Sequence, residues 1–574
     1  MARSRLQLFV LLVLIAAGTY TLAVFYGFSQ GRFFTVDEYQ YGHATWLVAQ
    51  GQVPFVDFFE HHFPLSYVLH APLFTAERDF VASALLLRRI VFVYWVLVGL
   101  IAAATCFAVT RDRLAAILAA FMPPSFGFGL MSAVDYRADN LAAVYFAACL
   151  LLLEWNRDRN SRALAIVCGL LAATAVAMTQ KLIFFAGGTF AVMLVVDRVA
   201  RSRGSDRRPF IRLPLPFLAS GALLAAALIG VAAALGMLPP GIETTVIQAV
   251  EHEQAYDRFS IWEMGYPTRF WNLTWPTTSA ILVFSAGFLL TRRGRFWLIP
   301  MAFSVVGLWL YSSPYPYNFV FLCWTIGLSA VRGFALFVKA LETRLPALRS
   351  ASPLLYLLPL LVLSSQFSFV VGTSTNAHQL RVLAKIEKYG EPTDAVIDSA
   401  GGGMFSPHAS YYFYHGNAHR QMFRDYFTTE LVDDYRRSQA LFWIWDMRSR
   451  KRPLAPRNYL ESHYVHGGDG LYALGVRTPV TRGKARSFVF DAVRAGTYRV
   501  FPSGRGPGRR APARDHDLLL DGVPLTGDRV HLEAGKHPID VLPGSPEYIV
   551  TAVDPSFFDA NPARPRYSMM FEYR

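Results

Sequence analysis

The sequence predicts a mainly α-helical polytopic membrane protein, with an extracytoplasmic α/β plus β-sandwich-like domain at its C-terminal end. Three observations carry this expectation. The 574-residue chain is 53% hydrophobic and only 17% charged, with a mean hydropathy of +0.30, too apolar for an ordinary soluble protein. Apolar runs of spanning length, about eleven of them at roughly 17–25 residues each, recur through the first two thirds. After residue 374 they stop, and short alternating strands with turn signals take over.

The runs lie at 6–28, 88–109, 114–132, 139–155, 162–178, 182–197, 213–236, 275–291, 295–311, 317–336 and 352–373. The first follows "MARSR" and competes with a cleaved signal peptide. At about 23 residues, roughly 35 Å as helix, it is long enough to span, which favours an uncleaved first helix. The basic segments "MARSR", "RDR", "NRDRNSR", "RVARSRGSDRRPFIR", "RRGR" and "KALETRLPALR" fall on one side if every run spans, and that side is cytoplasmic. An odd number of spans then places the C-terminal part outside. The net charge of +14 is explained by these loops and implies no nucleic acid partner. The Ala- and Arg-rich composition suits a bacterium, so the expected location is its inner (cytoplasmic) membrane. All four cysteines, Cys106, Cys149, Cys168 and Cys323, lie in apolar runs as small hydrophobes without metal-ligand spacing.

Three external segments are more than connectors: 29–87, 237–274 and 311–318. Each is rich in Tyr, Trp, Phe and Pro, as befits chain lying at a lipid–water interface. Beyond the spans, "AVIDSAGGGMFSP" reads as a strand running into a Gly-rich turn. "ELVDDYRRSQALFWIWD" reads as a helix followed by a strand. From 484 onward "SFVFDAV", "GTYRVFP", "DLLLDGVPL" and "DRVHLEAGKHPIDVLP" read as strands, with Asp521-Gly522 as a hairpin turn. The expected domains are 1–374 (transmembrane), 375–483 (α/β) and 484–574 (β-sandwich-like).

Within "FFTVDEYQYG", Asp37 and Glu38 follow almost directly on the first span. Ionisable groups at a membrane suggest function, although an interfacial helix cap explains an isolated Asp there equally well. The stretch "GQVPFVDFFEHHFPLSYVLHAPLF" adds Asp57, Glu60, His61 and His62 to the same loop. Together, residues 36–74 resemble the first external loop of the GT-C superfamily of membrane glycosyltransferases, in the branch of the protein O-mannosyltransferases and the lipid A aminoarabinose transferases. The resemblance is carried by Asp37, Glu38, Gly51, Pro54, Asp57, Glu60, His61, Pro64, Leu65 and Tyr67. The chain departs from the pattern at Phe63, where many relatives have a second Pro, and at His61, where aminoarabinose transferases have Lys. "DYRADNLAAVYFAACLLL" (135–152), "AMTQKLIFFAGG" (177–188) and "SPYPYNFVFLCW" (313–324) resemble further family segments.

The resemblance implies a GT-C-like transmembrane domain that transfers a sugar from a polyprenyl phosphate to an acceptor hydroxyl, outside the cytoplasm and with inversion. The acceptor would be lipid A, a polysaccharide, another glycolipid or a protein. An acceptor hydroxyl needs a base to take its proton; Asp37 is the expected base and Glu38 its rival. The leaving phosphate needs cations and hydrogen-bond donors. Lys181 is the first expectation, Arg137 the second, and His61, Arg269 and Arg258 follow. Glu60, His62, Asp57, Asp139, Tyr67 and Tyr315 complete an expected substrate-binding set. Blander alternatives stand beside these. Lys181 also reads as an interfacial snorkelling lysine, and Arg137 as an ion-pair partner of Asp135 or Asp139. No metal cofactor is expected, although His61-His62 after Glu60 suits a divalent cation. A transporter or flippase of a lipid-linked sugar is the competing function. It calls for ionisable residues near mid-membrane and interrupted helices, whereas most charges here flank the runs.

Overall fold

The computed structural model describes residues 2–74, 79–121, 132–204, 208–247, 266–310, 319–361, 375–446, 448–449, 452–479, 484–503 and 517–558. It divides into two compact units. The membrane unit comprises Met1–Arg32, His61–Leu69 and Leu85–Ser374, and the second unit Phe33–Glu60, His70–Ala84 and Thr375–Arg574.

The helices, in chain order, are α1 (Ala2–Gly31), α2 (Val36–Ala49, in the second unit), α3 (Phe80–Thr110), α4 (Arg113–Phe121), α5 (Ala138–Arg159), α6 (Arg162–Met178), α7 (Lys181–Ser202), α8 (Pro214–Ala234), α9 (Tyr266–Leu289), α10 (Arg295–Leu310) and α11 (Val320–Arg344). Among the described residues six of these, α1, α3, α5, α7, α8 and α11, are long and apolar enough to cross a membrane. The chain is therefore a multi-pass membrane protein. Helices α6, α9 and α10 fall on expected runs. The expected runs at 114–132 and 352–373 continue beyond the described residues, as do the stretches 248–265 and 311–318.

Polar local chemistry ends and joins these helices. Asn160 takes a left-handed conformation after α5 (φ 54°), and the Ser161 hydroxyl accepts from Leu164 to open α6. The Asn156 side chain clamps the turn, donating to the Ser161 carbonyl at 3.0 Å and accepting its N–H at 2.7 Å. Helices without a hydrophobic drive between them associate through small residues. A Cβ at Gly169 of α6 would collide with the Phe217 carbonyl of α8, and one at Gly333 of α11 with the Phe284 carbonyl of α9. The bundle also buries an ion pair, Arg332 of α11 with Glu154 of α5 at 2.7 Å.

In the second unit, α12 (Ala377–Tyr389), α13 (Leu431–Ser438) and α14 (Leu454–His463) accompany eleven strands. These are β1 (Val396–Ile397), β2 (Phe442–Ile444), β3 (Tyr464–Gly468), β4 (Leu471–Arg477), β5 (Arg486–Ala492), β6 (Gly496–Pro502), β7 (Leu518–Leu520), β8 (Val523–Pro524), β9 (Arg529–Leu532), β10 (Gly535–Val541) and β11 (Tyr548–Thr551). One sheet has the order β1-β2-β4-β11-β6-β9 with β3 on β4; the other has β5-β10-β7-β8. Among the strands of the described residues only β1 and β2 pair in parallel. Asp521 (φ 51°) and Gly522 (φ 77°) make the expected two-residue turn from β7 to β8. Phe490, Leu518, Ile539 and Val541 of the four-stranded sheet share one core with Tyr498, Val500, Tyr548 and Val550 of the other, a sandwich-like packing.

Two expected borders fall differently. The sheet runs on across 483–484, because β4 pairs with β11; both sides complete one layer. Residues Phe33–Glu60 also group with the C-terminal part, not with the spans. Backbone pairing supplies the reason. Phe34 donates its N–H to Gln379 Oε1 at 2.6 Å and accepts from Gln379 Nε2 at 2.9 Å. Phe59 donates its N–H to the Tyr411 carbonyl at 3.0 Å, and the Tyr411 hydroxyl donates to the Phe55 carbonyl at 2.8 Å.

Candidate active site

In the second unit the start of α2 separates the two adjacent acids. Thr35 caps the helix: its hydroxyl accepts the Glu38 N–H at 3.4 Å, and the Glu38 carboxylate accepts the Thr35 N–H at 2.9 Å. This reciprocal capping box satisfies two donors that a helix start otherwise leaves bare. Glu38 is fully buried in that task. Asp37 is only half-buried. The Tyr414 hydroxyl donates to its Oδ1 at 3.3 Å, and Arg448 Nη2 donates to the Tyr414 hydroxyl oxygen at 2.8 Å. The Arg448 guanidinium carbon lies 4.2 Å from the Tyr414 ring centre. Burial works against the charge on Arg448, but Tyr414, Asp37 and Asp446 outweigh it and hold its pKa above the ordinary value.

The far end of α2 explains the Gly-x-x-Pro part of the first-loop pattern. Gly51 closes the helix with φ +84°, a conformation that only glycine adopts without cost. Asp57 is exposed and accepts the Val53 N–H at 2.7 Å across the following turn. Glu60 is fully buried and accepts from Gln40 Nε2 at 3.0 Å. Along α2, His43 docks on the C-terminal segment: its Nδ1 lies 3.1 Å from the Met404 carbonyl and its Nε2 3.1 Å from His408 Nδ1. Burial pushes the His43 pKa down to about 4 and that of His408 to about 3, so both rings are neutral at ordinary pH.

The membrane unit gathers three other expected residues where α5 and α7 begin. Asp139 accepts from Lys181 Nζ at 3.2 Å and from the Thr179 hydroxyl at 3.2 Å, with Arg137 Nη2 at 3.7 Å. Arg137 is buried, whereas the Lys181 side chain keeps 25% of its surface exposed. Two cations thus meet at one carboxylate. Gln180, beside Lys181, donates to the His61 carbonyl at 2.8 Å. The His61 and His62 ring centres lie 4.0 Å apart, with the rings tilted by 44°. Tyr67 is fully buried in this unit. Glu60, the third member of the expected cation set, is assigned to the second unit. Arg258 and Tyr315 lie outside the described residues, as does the side chain of Arg269 on α9.

Four side chains went unforeseen. Arg32 pairs with Asp135 at 2.8 Å, fully enclosed. Arg88 Nη1 donates to the Ser29 and Arg32 carbonyls at 2.6 Å each. Both had a signal, one arginine ending and the other opening an apolar run. Tyr414 and Arg448 had none, since only the tertiary fold brings them to Asp37.

No family model matches the chain, and no curated protein matches it in sequence. Solved structures share the fold of this chain. Among solved structures it is similar to ArnT from Cupriavidus metallidurans bound to undecaprenyl phosphate, at 12% identity and a TM-score of 0.53, covering 80% of this chain and 97% of that one. The apo state of the same protein aligns at 13% identity and a TM-score of 0.51, with the same coverage. At such identity the likeness concerns the fold.

Proposed function

We propose that the protein is an inverting glycosyltransferase. It moves a hexosyl or pentosyl group from a polyprenyl-phosphate donor to a hydroxyl of a glycan, lipid or protein acceptor. The reaction takes place at the extracytoplasmic face of a bacterial inner membrane, with the N-terminus in the cytoplasm. One observation carries this reading: of the two adjacent acids, Glu38 is fully buried as the cap of α2, and Asp37 is only half-buried. Asp37 takes the proton of the acceptor hydroxyl as its oxygen attacks the anomeric carbon. The bond from that carbon to the phosphate oxygen breaks, and polyprenyl phosphate leaves with the electron pair. Lys181 and Arg137 meet the charge that develops on the phosphate, with His61, Arg269 and Arg258 as further cations. Asp139 holds the first two in place. Glu60, His62, Asp57, Tyr67 and Tyr315 are assigned to the sugar and the acceptor. The scheme uses no metal. The fold likeness to ArnT, whose structure holds undecaprenyl phosphate, supports a lipid-linked donor.

The test is release of polyprenyl phosphate by the purified chain from a panel of polyprenyl-phosphate sugars. The wild type turns over at least one donor and Asp37→Asn does not. Full turnover by that variant removes Asp37 from the mechanism. A flippase is the second reading, favoured by the buried Glu154–Arg332 pair between two apolar helices. Passage of an intact lipid-linked sugar across liposomes, with no donor consumed, selects it.

A further inference from the structure

We propose that Tyr414 and Arg448 are positioning residues for Asp37: Arg448 polarises the Tyr414 hydroxyl, and that hydroxyl fixes one oxygen of the carboxylate that receives the acceptor proton. The inference rests on the role given to Asp37 above. It assigns to the C-terminal part of the chain a task in the reaction itself.

The geometry is a directed chain. The guanidinium donates to the phenol oxygen at 2.8 Å, and the phenol donates to Asp37 Oδ1 at 3.3 Å. Donation into a hydroxyl oxygen draws electron density from it and makes its own proton a better donor, the cooperativity expected of linked hydrogen bonds at low dielectric. A bond received by the charged form of a carboxylate favours that form. Asp37 is thereby held in one orientation, as a general base must be.

The origin of the chain is firmly built. The Arg448 N–H donates to Asp446 Oδ1 at 2.8 Å, and its carbonyl accepts from Arg420 Nη1 at 3.3 Å. Asp446 is buried and also receives the N–H groups of Ser449 at 2.9 Å and Ser399 at 3.1 Å. Tyr414 is itself buried, its ring packed edge-on against His419 at 5.9 Å. A phenol that served only as packing would have no need of a guanidinium both over its ring and on its oxygen.

The experiment compares wild type, Tyr414→Phe, Arg448→Gln, Arg448→Lys and the double variant Asp37→Asn/Tyr414→Phe, all as the full chain with the donor that wild type consumes. Tyr414→Phe keeps the ring and removes the hydroxyl. It is expected to lower kcat by about 10- to 100-fold with the donor KM within about twofold, the signature of a group acting on the transition state. Arg448→Gln loses less, and Arg448→Lys recovers part of that loss because an ammonium still donates to the phenol. In the Asp37→Asn background Tyr414→Phe brings no further loss of the residual rate. A Tyr414→Phe variant with wild-type kcat overturns the inference alone and leaves the transferase standing. So does a variant whose kcat, KM and melting temperature all shift together. A wild type that consumes no donor overturns both.

Discussion

The two units handle charge in opposite ways. In the membrane unit two cations crowd one carboxylate: Arg137 and Lys181 on Asp139, with the lysine partly open. In the second unit charge is spaced out, a carboxylate and a guanidinium separated by a phenol. In the proposed reaction the first suits a phosphate that leaves and the second a proton that is taken.

Asp37→Asn breaks the contrast at its base side and has the largest expected effect, a loss of about 10²- to 10⁴-fold in kcat, the usual worth of a general base. Steady-state assay of polyprenyl phosphate release measures it, and an unchanged melting temperature shows that the fold survives. Lys181→Ala breaks the cation side. Loss of a charge-assisted hydrogen bond of about 1.5–3 kcal/mol corresponds to roughly 10- to 100-fold weaker donor use, read mainly in KM.

A pH titration probes how α2 is held. The His43 and His408 pKa values are pushed down by burial to about 4 and about 3, from 6.5. The unfolded chain therefore binds these protons first as pH falls. The stability that the pair supplies is complete above pH 6.5 and drains as pH drops toward about 4. Amide protection factors over 36–49, corrected for the intrinsic pH dependence of exchange, should fall between pH 7 and pH 5, and His43→Gln should flatten that slope. Glu38→Ala sharpens the division of labour between the two acids. It removes half of the capping box and costs about 1 kcal/mol of stability, seen as a lower melting temperature, with kcat falling far less than in Asp37→Asn. Chelation by EDTA is expected to change nothing; a loss of turnover would bring His61 and His62 back as cation ligands.

Much of the fold was readable because a membrane span demands length and apolarity together, and nine of the expected runs coincide with helices over most of their extent. The Asp521-Gly522 turn was readable for a comparable reason: its backbone admits few residues. Asp37 and Glu38 were readable as a pair but not as individuals. The distinction lay two residues upstream, in the Thr35-x-x-Glu38 capping pattern, which marks Glu38 as the acid already in use. The docking of residues 33–60 on residues 375–574 left no local trace. Phe34 with Gln379 and His43 with His408 meet across more than 340 positions, and no periodicity encodes such a pairing. Tyr414 and Arg448 belong to the same class.

The place of β11 has a consequence for how the second unit assembles. Strand Tyr548–Thr551 lies between β4 and β6, so the earlier strands of that sheet wait, with two edges open, for a segment synthesised some seventy residues after β4. Hairpins such as β3–β4 can form during synthesis, but closure comes last. A chain cut between β10 and β11 would strand two unpaired edges, each a template for aggregation, and quality control would meet it as a half-zipped layer.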